Sequence, residues 1–213
     1  MITTDDIPTP PKEVFGLATP SALFRKFAWE RDRLQIALAP ENNNFPQQEA
    51  LYIAFNCAVT AWHMADWVWH CANDQQRSTL EGSLSFKRTG DERESLRAFQ
   101  RALGDKLPQL AACREFANGS KHFKLDKPKD GFQVDAGYAF VVEPGNSKRL
   151  RGDAMLQLHV FMPNQNMTAL CFFDSLLGFW NDLLGTLGMH EATKYAEGRP
   201  VPPDWLQAYV AGN

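Results

Sequence analysis

A mainly α-helical, antiparallel bundle with an inserted β-hairpin is the fold this chain predicts, on three observations. Apolar residues recur at helical spacing over most of its length, as in Leu23, Phe27, Leu34 and Leu38. Residues 132–162 switch to alternation, Phe132, Val134, Ala136, Tyr138, Phe140 and Val142 being answered by Leu156, Leu158, Val160 and Met162. No Pro/Gly/Ser-rich linker and no internal repeat divides the 213 residues, so one domain with one core is expected over 1–213.

Residues 1–18, with Pro8, Pro10 and Pro11, read as an irregular lead-in that packs through Val14 and Phe15. Thr19-Pro20 is a cap followed by proline at the first helical position, and it starts a helix over about 20–39 that Pro40 and a polar run end. A second helix spans about 46–73 and stops at Asn73-Asp74. The polar stretch 74–90 reads as a connection with one helical turn around Ser78–Glu81. Thr89 and Glu92 resemble a capping box for a third helix over 91–103, stopped by Gly104. Pro108 opens a fourth helix over 108–123. The hairpin follows, its tip carrying Lys148, Arg149 and Arg151. The last long helix, about 167–187, places Leu170, Leu177 and Leu184 seven apart and ends at Gly188. Residues 189–213 form an irregular tail with a short helix in the VPPDWLQAYV stretch.

Twenty-two Lys and Arg against 25 Asp and Glu give a formal net charge of −3, so any site for nucleic acid or another polyanion has to be local. Cys57, Cys71, Cys113 and Cys171 are widely spaced, without a CxxC pair, and read as reduced core thiols of a cytoplasmic protein. The first residues lack the basic region and apolar run of a signal peptide. The long apolar segment 51–72 is interrupted by Asn56, His63, Asp66 and His70, so a buried helix is expected and no membrane partner. No motif calls for a cofactor.

The segment AWHMADWVWH, residues 61–70, sets three tryptophans among His63, Asp66 and His70. At 100° per residue Tyr52, Asn56, Val59, His63, Asp66 and His70 fall within roughly 80°, making one polar stripe on an otherwise apolar helix. Such a stripe is expected to line an enclosed space with tryptophans as its walls. Arg114, Asn118 and His122 repeat every four residues on the fourth helix, with Lys121 beside them. If the two helices are neighbours, His63, Asp66, His70, Asn118, Lys121 and His122 share one site, flanked by Trp67 and Arg114. In that site His122 acts as general acid/base, Lys121 as the charge partner of a phosphate, Asn118 as its positioner, and His63–Asp66 as an orienting pair.

The Ala-Asn-Gly-Ser-Lys-His run of residues 117–122, near the end of a helix in a helical bundle, resembles the motif of HEPN domains. That superfamily includes metal-independent ribonucleases of toxin–antitoxin and antiviral systems. The resemblance covers the bundle layout of residues 20–187 and this one motif. It implies RNA or a nucleotide as partner, phosphodiester chemistry at Asn118, Lys121 and His122, and a homodimer with the motif helices facing each other. Ala117 stands where the family carries an arginine, and the nearest arginine is Arg114. Two other function classes fit the same residues. One is a metal-binding bundle with His63, Asp66, His70 and His122 as ligands. The other is a non-catalytic bundle that stacks a planar ligand between tryptophans or docks a partner chain on the hairpin.

Overall fold

Thr19 opens the first helix as its sequence predicts: its hydroxyl accepts from the Ala22 N–H at 3.1 Å, Pro20 occupies the first turn, and α1 runs Pro20–Leu38. The computed structural model describes residues 17–39, 47–119, 133–142, 150–162 and 165–190. Within them follow α2 (Gln47–Cys71), α3 (Asp74–Leu84), α4 (Glu92–Lys106), α5 (Pro108–Gly119), β1 (Gln133–Val142), β2 (Leu150–Met162), β3 (Gln165–Thr168) and α6 (Ala169–Thr186). The mainly helical fold with an inserted antiparallel hairpin is therefore what the chain adopts. The lead-in, the C-terminal tail and the distal hairpin residues 143–149 lie outside the described residues. Arg151, expected at the tip, pairs within the sheet opposite Val141.

Helix α2 is the centre, packed against α1, α4, α5 and α6. Its buried positions are mostly small: Ala50, Ala54, Cys57, Ala58, Ala61 and Ala65. Small side chains let flanking helices approach closely, and towards the end of α2 the larger Met64, Val68 and Trp69 are fully buried.

Three elements depart from expectation. Residues 74–84 are a full helix, because Asn73 and Gln76 form a reciprocal capping box with 2.9 Å bonds and Leu80 is completely buried. The cap of α4 is Asp91, whose carboxylate accepts from the Glu94 N–H at 2.7 Å. Thr89 lies outside the helix, its N–H donating to Ser95 Oγ. Gly104 does not stop α4. It sits where α5 crosses, with Ala111 Cβ 3.5 Å from the place its own Cβ would take, and the helix continues to Lys106. Finally, Gln165–Thr168 adds a third strand, in the order β1-β2-β3, with Met162 opposite Gln165 and His159 opposite Thr168.

The hairpin register matches the alternation, Val134 facing Val160 and Ala136 facing Leu158. Leu158, Val160 and Met162 are buried, and β2 lies against α6. Thr168 both ends β3 and caps α6. Gly188, at φ 63°, closes α6 in the left-handed conformation, and the next N–H, that of Met189, reaches back to Leu184 O at 2.9 Å.

Candidate functional site

The polar stripe of α2 faces outward. Tyr52 is 66% exposed, Asn56 and His70 are exposed, and His63 and Asp66 are half-buried. This corrects the expectation of an enclosed space: a central helix with four neighbours still leaves one strip to solvent, and these residues occupy it. The tryptophans are core, not walls of a pocket. Trp69 is fully buried, stacked on Phe99 at 5.4 Å and against Phe86 at 6.1 Å. Its Nε1–H donates to Glu92 at 2.8 Å, and the Arg77 guanidinium lies over its ring at 4.8 Å while pairing with Glu92. Trp62 is also buried, and Trp67 is half-buried against the same core.

The adjacency of α2 with the helix carrying Arg114 and Asn118, now α5, is present. Phe116 of α5 meets Leu51, Ala54, Phe55 and Ala58 at an apolar groove, so the end of α5 is level with the first half of α2. Asn118, two residues further along α5, is exposed, and His63 is not among the residues lining that groove. Arg114 pairs with its neighbour Glu115 at 3.0 Å. Lys121 and His122 lie outside the described residues. Among the described residues no three His, Cys, Asp or Glu side chains gather as a metal-binding group, so His63, Asp66 and His70 do not form one by themselves.

Asp66 instead accepts a 2.7 Å hydrogen bond from the side-chain amide of Gln100 on α4. That bond joins the α2 stripe to the outer face of α4, where Arg93, Arg97 and Arg101 are all exposed. Other arginines are tied down: Arg31 to Asp174, Arg77 to Glu92, Arg88 to Glu81 and Asp74. Arg93, Arg97 and Arg101 make no ion pair or side-chain hydrogen bond among the described residues. They sit at i, i+4 and i+8, a straight row with one guanidinium per turn, about 6 Å apart. Helix α2 runs antiparallel to α4, since Asp66 meets Gln100 while Trp69 reaches back to Glu92. His70, one turn beyond Asp66, is thus level with the 93–97 turn of α4. The site sequence reasoning overlooked is this row. Its signal was present, because Arg93, Arg97 and Arg101 oppose Ser95, Phe99 and Leu103 on the helical wheel.

Cys57 and Cys113 are buried, and burial pushes both thiols above their ordinary range, with the Glu30 carboxylate adding to the effect at Cys57. Both effects disfavour the thiolate, the form that reacts. No protein-family model, curated protein or solved structure matches the chain. No helix among the described residues is long and apolar enough to cross a membrane.

Proposed function

We propose that this domain binds single-stranded RNA along the outer face of α4, as a HEPN-like bundle acting in the cytoplasm. The observation that carries the reading is the row Arg93, Arg97 and Arg101, exposed and without carboxylate partners among the described residues. A guanidinium per turn is commensurate with the successive phosphates of an extended strand, and each fork offers two donors to phosphate oxygens. The Gln100 amide and the His70 imidazole flank the row and supply donors and acceptors for 2′-hydroxyls and unstacked base edges. With an overall charge of −3, such binding has to be local.

Fluorescence anisotropy with a labelled RNA 12-mer tests the reading across a potassium chloride series. Native protein should lose affinity steeply with salt. The double variant Arg93→Gln/Arg97→Gln should bind at least tenfold more weakly at low salt, with a log–log slope shallower by about 1.4, two phosphates' worth for a single strand. Unchanged affinity and slope in that variant would remove the proposal.

The exposed end of α5 at Asn118 favours a second reading, in which Asn118, Lys121 and His122 cleave the bound strand without metal. Incubating labelled RNA in EDTA with native protein and with His122→Ala decides it, since equal background-level cleavage by both eliminates the nuclease. The resemblance also implies a homodimer, which sedimentation velocity reads as twice the 24.0 kDa chain mass.

A further inference from the structure

Where α3 ends and the loop to α4 begins, a cleft of about 550 Å³ opens against the second half of α4. Its lining includes Ser85, Phe86, Lys87, Arg101, Asp105 and Lys106. Lys87, Arg101 and Lys106 are exposed and make no ion pair or side-chain hydrogen bond among the described residues, against the single carboxylate of Asp105. Ser85 has φ 56° and ψ 42°, the only non-glycine residue at positive φ among the described residues. Ser85 is the C-cap of α3, and its left-handed turn carries the chain out of the helix along the rim of the cleft.

We propose that this cleft binds a terminal phosphomonoester, carried either by a free nucleotide or by the end of a nucleic-acid strand. A phosphodiester bears one charge and is served by one guanidinium per helical turn. A phosphomonoester approaches two charges at neutral pH and offers three oxygens, which calls for several cations converging in one hollow. Lys87, Arg101 and Lys106 supply them from two sides, the loop and α4. The volume suits a mononucleotide. Phe86 gives the sugar and base an apolar contact, and Asp105 accepts from ribose hydroxyls. Arg101 belongs both to the row and to the cleft, so a strand laid along α4 ends here. The strand-end source rests on the RNA-binding reading; the free-nucleotide source does not.

Calorimetric titration of the full chain with AMP and with adenosine forms one arm of the test. The other compares, by anisotropy, one RNA 12-mer bearing a 5′-phosphate, a 3′-phosphate or hydroxyl ends. At least a tenfold preference for the phosphorylated species is expected in one arm or both. Lys87→Gln/Lys106→Gln, both exposed positions, should abolish that preference while circular dichroism and the urea midpoint match the native chain. Preference for AMP alone assigns a free nucleotide, and preference for a phosphorylated end assigns a strand terminus. No preference in either arm, or one that survives the double variant, overturns the proposal. Binding of AMP without binding of hydroxyl-ended RNA removes the RNA reading and leaves the cleft intact.

Discussion

Arg88 shows how a single side chain fixes the loop on which the cleft depends. Its backbone N–H donates to Glu81 Oε1 at 2.7 Å and its Nε to Oε2 at 2.9 Å, and its other nitrogens reach Asp74 and Ser78. The Arg88 N–H is the chief reason the Glu81 carboxyl titrates below its ordinary value; partial burial opposes the shift, and the guanidinium adds to it through a hydrogen bond and its charge. A carboxyl held low when folded leaves the folded state with fewer bound protons than the unfolded one as acid is added. Its contribution is therefore complete above the unfolded pKa and is lost as pH falls through the folded one. Glu81→Gln should lower the urea midpoint at neutral pH and flatten its decline on acidification to about pH 3. Parallel midpoint–pH curves for native and variant chains would show that Glu81 gives the loop no such support.

At the scale of elements, legibility followed how local the determinants are. Helix α2 was readable because its apolar pattern covers nearly the whole wheel, and α1 because Thr19-Pro20 is a cap and a first turn in two residues. Helix α3 was not, since DQQRSTLEGSL buries only Leu80 and is held by a cap and by Arg77 and Arg88 reaching other segments. Strand β3 was hidden for a stronger reason: Gln165–Thr168 has no alternation of its own and is a strand because β2 offers an edge. The polar stripe of α2 was found as a stripe, yet periodicity cannot say whether such a face meets protein or water. Gly178 illustrates the converse, a residue whose helical setting is plain and whose choice nothing in its surroundings demands. It is exposed in the middle of α6, and a Cβ there would meet nothing within 4 Å. Gly178→Ala should stabilise the protein by about 0.5–1 kcal/mol, through reduced freedom of the unfolded chain and better helix propensity. Urea unfolding measures it, and a destabilised variant would mean that this face of α6 is covered.

Over the whole molecule, the fold is closed by a contact between its first and last long helices. Arg31 of α1 binds Asp174 of α6 through both carboxylate oxygens at 2.7 Å, across 143 residues of chain. The two partners are unequally placed, the guanidinium being 9% exposed and the carboxylate 41%. Arg31 also reaches Asp32 and Gln35, so it is not stranded when Asp174 is removed. Asp174→Ala should cost about 1–3 kcal/mol, below the penalty for breaking a fully buried pair because water and Asp32 take over part of the charge. Arg31→Met, which keeps an apolar stem in the same position, should cost no more than that. In the double variant Arg31→Met/Asp174→Ala the losses should fall short of their sum by at least about 0.5 kcal/mol, since neither partner is then left alone. Because the pair joins α1 to the helix that directly follows the sheet, its loss should also shorten hydrogen-exchange protection in β2 and α6 together. Additive losses in the cycle, with exchange altered in α1 alone, would show that apolar packing such as Phe27 against Phe173 holds these helices without the ion pair.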